Sequence, residues 1–220
     1  MLSILSLLET RVLGVLAEKE RTVPDTYPLT LNALVSGCNQ KTSRDPVINA
    51  AETEVQAAVD SLKAMNLVIE SSGGRVARYT HNIERVLQVP RQSGALLATL
   101  MLRGPQTAGE LRINCERLHS FADISSVEAF LRELAERAAG ALVAELPRQA
   151  GARENRWAHL LSGPPVLPDA VVLDTTGPEA GGVAATEIAA LKVNVARLQA
   201  EVAELKALLA RVCSELGIKG

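Results

Sequence analysis

Apolar residues along the first ninety positions change their period several times. Ser6-Leu7-Leu8-Glu9 has the Ser-x-x-Glu form of a helix capping box. Val12, Leu13, Val15 and Leu16 follow it as one helical stripe. Pro24 and Pro28 interrupt the pattern, and Thr30 stands where it can cap a short second helix with Leu31, Leu34 and Val35 turned inward. The polar run Asn39-Gln40-Lys41-Thr42-Ser43-Arg44-Asp45-Pro46 separates this helix from a third. That third helix starts near Thr53 and lines up Val55, Val59, Leu62 and Met65 on one face. The period then shortens: residues 67–70 and 76–80 read as strands around a turn at Ser71-Ser72-Gly73-Gly74.

The same sequence of signals recurs further on. A helix is expected over residues 93–102, closed by Gly104-Pro105, a second over 107–118 and a third over 125–138. A hairpin with arms 142–146 and 156–160 ends the block, and Pro147, Arg148, Gly151, Arg153 and Arg156 lie at or beside its tip. Short segments of the two blocks match in the same order. Pro28, Thr30, Leu34 and Cys38 correspond to Pro105, Thr107, Leu111 and Cys115 at a constant offset of 77. Val55, Val59 and Leu62 correspond to Val127, Leu131 and Leu134 at 72, and Arg78-Tyr79-Thr80-His81 to Arg156-Trp157-Ala158-His159 at 78. Offsets that drift while the order holds are the mark of a duplicated unit whose loops changed length. Three helices closed by a hairpin is the winged-helix form of the helix-turn-helix. The fold class read here is mainly α with small β-hairpins (α+β). Its domains are residues 1–89 and 90–162, each a winged-helix domain, then a Pro/Gly-rich linker, 163–186, and a C-terminal helix, 187–217.

That last helix carries a heptad. Ile188, Leu191, Val195, Leu198, Val202, Leu205, Leu209, Val212 and Leu216 alternate spacings of three and four. With Ile188 at position a, Glu187 and Glu201 fall at g and Lys192 and Lys206 at e. In a parallel pair these meet as opposite charges, so the pattern predicts a homodimer through a parallel coiled coil. A single amphipathic helix folded onto its own domains is the alternative. The linker before it, with Pro164, Pro165, Pro168 and Pro178 among glycines, suits a tether.

Composition narrows the class. Hydrophobic residues make up 47% of the 220 and aromatics 2%, so the cores are aliphatic. Twenty-three basic against 25 acidic residues give a net charge of −2, and neither block is markedly basic. Binding to nucleic acid would have to come from local patches. Cys38, Cys115 and Cys213 form no CxxC pair and no even framework, which suits a reducing, cytoplasmic setting. The apolar start lacks a basic leader, and no run reaches the length of a membrane span. No nucleophile motif, Walker loop or dinucleotide fingerprint is present, so no enzyme, cofactor or metal is expected. Cys38 and His81, with their counterparts Cys115 and His159, are too few for a metal set; the cysteines read as small buried residues, and Tyr79 and Trp157 as anchors of the return strand.

DNA is the first partner this layout suggests, and a protein the second. Contacts to either fall on Asn39, Gln40, Lys41 and Arg44 in the polar loop, Arg75 and Arg78 in the first wing, Arg112 and Arg117 on or near the second helix of copy two, and Arg148, Arg153 and Arg156 in the second wing. The third helices argue the other way. They carry Glu52, Glu54 and Asp60 against Lys63, and Glu128, Glu133 and Glu136 against Arg132 and Arg137.

Several blocks also resemble the YceH-like family of uncharacterised bacterial proteins. These are Arg11-Val12-Leu13-Gly14, Glu18-Lys19, Tyr27-Pro28-Leu29, the run from Cys38 to Val47, Leu102-Arg103-Gly104-Pro105-Gln106-Thr107, Gly109-Glu110-Leu111-Arg112, and Leu146-Pro147-Arg148-Gln149 with Arg156-Trp157-Ala158-His159-Leu160. The resemblance spans about residues 6–162 and implies tandem winged-helix domains. It implies no activity, and the C-terminal helix lies outside it.

Overall fold

The computed structural model describes residues 4–71, 76–148 and 151–165. Helix α1 (Leu7–Thr22) opens on the expected capping box: the Ser6 hydroxyl accepts the Glu9 N–H, and the Glu9 carboxylate accepts the Ser6 N–H at 2.6 Å. Val12, Leu13, Val15 and Leu16 are fully buried along it. A short 3-10 turn, Pro24–Thr26, leads to α2 (Leu31–Cys38), whose first turn is capped by Thr30. Helix α3 (Glu52–Ala64) follows, then the antiparallel strands β1 (Val68–Ser71) and β2 (Arg78–His81), with Ile69 opposite Thr80. A five-residue helix, α4 (Ile83–Leu87), comes next. The sequence pattern gives no sign of it, because five residues are too few to display a helical period.

The second set of elements repeats the first. It comprises α5 (Arg91–Arg103), α6 (Ala108–Cys115), α7 (Ile124–Ala135), β3 (Val143–Glu145) and β4 (Trp157–His159). Helix α6 ends three residues before the expected Leu118, where the chain turns and the Leu118 N–H reaches the Cys115 carbonyl at 2.7 Å. Helix α7 likewise stops short of residue 138. The architecture is mostly helical with two small antiparallel hairpins.

Correspondence between the two sets extends to details the repeat alone did not predict. Each return strand pairs on its far side with the residue just before the cap of the second helix: Tyr79 with Leu29, Trp157 with Gln106. Val55 and Val127 are both fully buried, one in each third helix, and so are Cys38 and Cys115 at the ends of the second helices.

One hydrophobic core runs through both sets, from Leu5 to Leu161. Helices α1 and α5 are its spine. A Cβ at Gly14 would stand 2.9 Å from Leu102 Cγ, so the two helices approach where α1 has no side chain. The ends of the unit are tied by the Leu5 N–H to Leu161 carbonyl bond at 2.8 Å, and the Asp45 N–H reaches the Leu102 carbonyl at 2.8 Å. Among the described residues no helix is long and apolar enough to cross a membrane. Arg75, most of the linker and the heptad residues from Ile188 to Leu216 lie outside the described residues.

Candidate interaction surfaces

The polar loop after α2 is anchored from within. Arg44, expected from sequence to face phosphate or a partner, is turned inward instead. Its guanidinium forks onto Glu18, with Nη1 to Oε1 at 3.1 Å and Nη2 to Oε2 at 2.6 Å, and its Nε donates to the Gly37 carbonyl. The side chain has no exposed surface. Burial alone would raise the Glu18 carboxyl, but hydrogen bonding to Arg44 and the charges of Arg44 and Lys19 outweigh it, and its pKa lies below the ordinary value. Asn39 closes the same loop, donating to the Ala50 carbonyl and accepting the Ala50 N–H. Gln40 accepts from Lys19 and donates to Thr42. Lys41 alone of the four candidates in this loop stands exposed with no hydrogen bond to the described residues.

Arg11 enters the sequence pattern only as part of a motif, yet it is the largest fully buried side chain. It donates to the carbonyls of Cys38 and Pro46, and burial together with neighbouring Arg44 lowers its pKa. Two arginines therefore hold the α2–α3 connection on α1. No period or spacing distinguishes such a residue from a surface arginine.

The wing arginines behave alike in the two copies. Arg78 donates to the carbonyls of Thr26 and Pro28, and Arg156 to that of Pro105, so each clamps its return strand to the segment before the second helix. Arg156 also approaches Glu110 at 3.5 Å. Arg112 is spent on the carbonyls of Phe121 and Ala122. Arg117, Arg148 and Arg153 are exposed, with no hydrogen bond to the described residues.

The third helices carry few cations, and each is paired with a carboxylate. On α3, Glu52, Glu54 and Asp60 are exposed, while Lys63 is engaged with Glu70 and Asp60. On α7, Glu133 is exposed and Arg132, itself 64% exposed, lies against Glu128; just beyond its end Glu136 is exposed and Arg137 donates to the Leu87 carbonyl.

An apolar groove opens beside α3 in the first copy. Thr30, Leu31, Gln56, Val76, Ala77 and Tyr79 line a space of about 530 Å³, with Glu52 at its edge, and Val76 is 58% exposed. In the second copy the equivalent position is covered differently: Ile124 Cδ1 stands 3.8 Å and Glu154 Oε2 4.0 Å from where a Gly109 Cβ would be. Tyr79 and Trp157 are both buried, as anchors of their strands.

Cys38, Cys115 and His159 are buried and carry no surface chemistry. Burial pushes the Cys38 thiol up to about 11 and the Cys115 thiol up to about 12, so both are neutral at physiological pH. Burial pulls His159 down to about 4, which leaves it neutral too.

The fold and these surfaces define a mostly helical α+β protein with a duplicated helix-and-hairpin unit, and with polar side chains committed largely to its own loops. The chain belongs to the family described as a protein of unknown function, DUF480, which matches residues 5–152. It is 62% identical over 211 residues to a UPF0502 protein of Dechloromonas aromatica (strain RCB), covering 93% of this chain and 94% of that protein. A UPF0502 protein of Burkholderia ambifaria (strain AMMD) is 59% identical over 215 residues, covering 96% and 89% respectively. A third, from Burkholderia vietnamiensis (strain G4), is 58% identical over 215 residues, with the same coverage of 96% and 89%.

Proposed function

We propose that this chain is a non-enzymatic protein-binding adaptor built from two winged-helix units, and that its third helices do not read DNA. The supporting observation is the charge turned outward by α3 and α7. A helix seated in the major groove faces phosphates on both sides, and its affinity comes largely from Lys and Arg that neutralise them. Here Glu52, Glu54, Asp60 and Glu133 stand exposed, and the two cations of these helices, Lys63 and the 64% exposed Arg132, are each paired with a carboxylate. The groove beside α3 supplies a surface that suits a protein instead. Its largely apolar lining, with Glu52 among the lining residues, fits a segment carrying an aliphatic side chain next to a basic one.

The test is a titration of the full chain into labelled mixed-sequence duplex DNA at low and moderate salt. The expected result is no saturable binding at low salt. Tight binding with a steep salt slope would overturn the adaptor reading. The regulator-type, DNA-binding reading is favoured by a different observation: Lys41, Arg117, Arg148 and Arg153 are exposed and make no hydrogen bond to the described residues. On that reading their replacement by Ala would flatten the salt slope by about one for each phosphate no longer neutralised. For the adaptor, a Val76→Glu chain used as bait should lose a partner that the wild-type chain retains.

A further inference from the structure

Glu20 near the end of α1, His81 at the end of β2 and Glu84 in α4 each bring one donor atom within 4.8 Å of the other two. The His81 side chain is 4% exposed, and its Nε2, 3.4 Å from Glu20 Oε2, has no hydrogen-bond partner. Its Nδ1 lies 3.5 Å from Glu84 Oε2 and 3.4 Å from the Ile83 amide nitrogen, too long for a strong bond to either. The three side chains border a cavity of about 10 Å³, room for one water-sized particle. Helix α5 passes close at Gly94, where an added Cβ would stand 3.3 Å from Glu84 Oε1. Arg21 and Arg91 also border the cavity, and Arg21 Nε lies 3.4 Å from Glu20.

We propose that Glu20, His81 and Glu84 form a binding site for one divalent transition-metal ion of the Zn2+ class. The orphaned, buried imidazole nitrogen carries the argument. A nitrogen aimed at a carboxylate across a one-particle gap is satisfied by an ion that both can ligate. One imidazole with two carboxylates is a borderline donor set that suits Zn2+, whereas Ca2+ and Mg2+ take oxygen ligands. With Nε2 on the metal, Nδ1 carries the proton, gives up the long contact from the Ile83 N–H and faces Glu84 Oε2, leaving the other Glu84 oxygen to ligate, an arrangement that fixes the ring. Arg21, about a third exposed, is free to leave Glu20 for solvent. The bound ion would pin the end of the first hairpin and α4 to α1, so its role is to hold the junction between the two copies.

Co2+ serves as the probe, added to the full chain after chelator treatment and followed by visible absorption, with Zn2+ as competitor. The expected result is one Co2+ per chain, displaced by Zn2+, with no thiolate charge-transfer band. Glu20→Gln and Glu84→Gln should each weaken binding by about tenfold or more. Glu20 is 37% exposed, so Glu20→Gln should keep the far-ultraviolet circular dichroism of the parent and decides the matter even if His81→Gln fails to fold. Absence of Co2+ uptake, undiminished uptake by Glu20→Gln, or thiolate bands that assign the metal to cysteine would each overturn the site.

Discussion

Arg44 and Glu18 show how one residue type is put to two uses in this chain. An arginine in a polar loop is ordinarily a surface charge, but the bidentate pairing with Glu18 and the bond to the Gly37 carbonyl make Arg44 part of the loop's interior. Removing one partner of a buried pair leaves the other charge uncompensated. Arg44→Ala should therefore cost about 3 kcal/mol in chemical denaturation. Arg44→Lys should recover little of it, since an ammonium cannot reproduce the fork. His159 contributes a separate pH dependence. Its folded-state pKa is depressed from 6.5 to about 4 by burial, so between those values the unfolded chain takes up a proton that the folded chain refuses. Its contribution is complete above pH 6.5 and is lost as pH falls toward about 4. The full loss is on the order of 3 kcal/mol. Stability measured across that range should be flatter in His159→Leu. The Glu18 carboxyl, held below its ordinary 4.5, adds a loss at lower pH, which Glu18→Gln should remove.

At the scale of elements, local signals set where helices begin and close packing sets how they meet. Thr107 and Glu110 form a complete capping box at α6, with the Thr107 N–H donating to Glu110 at 2.8 Å and the Glu110 N–H to Thr107 at 3.2 Å. Thr107→Ala should cost about 1 kcal/mol, read as a shift in denaturation midpoint. Helix propensity and packing oppose each other at the helical glycines. Replacing a mid-helix glycine with Ala gains about 1 kcal/mol in propensity. At Gly37 the new Cβ would meet Val15 Cγ1 at 2.6 Å, and at Gly14 it would meet Leu102 Cγ at 2.9 Å. Overpacking costs about 1–3 kcal/mol, so both substitutions should be net destabilising, with Gly37→Ala the worse because its clash is closer.

At the scale of the whole molecule, the two copies share one core, and α1 against α5 joins them. Two of the polar bonds that cross the junction, Asp45 to Leu102 and Leu5 to Leu161, are backbone bonds that no side-chain pattern announces, and Arg103 adds a side-chain bond to the Ser43 hydroxyl at 2.8 Å. The C-terminal heptad adds a prediction at this scale that rests on sequence. The mass of the full chain in solution should be twice its protomer mass, and a chain ending at Gly182 should be monomeric. Equal protomer numbers for the two would defeat the coiled-coil dimer.

The element order was legible because caps, turns and apolar periods are local, and because the chain states them twice with matching residues. The buried residues of α1, α3 and α7 followed from the same periods, which mark the face a helix must hide. Helix α4 escaped because five residues show no period. The direction of the arginines escaped for a different reason. Nothing local distinguishes Arg44, turned inward onto Glu18 26 positions away, from Lys41, left facing water three residues before it. That choice depends on which carbonyls and carboxylates the folded backbone brings within reach, and the same long-range convergence gathers Glu20, His81 and Glu84. Sequence thus determined the units and their faces. Tertiary structure alone decided which charges remain outside to meet a partner, because burial and pairing of a charge are properties of the assembled neighbourhood and not of the residue.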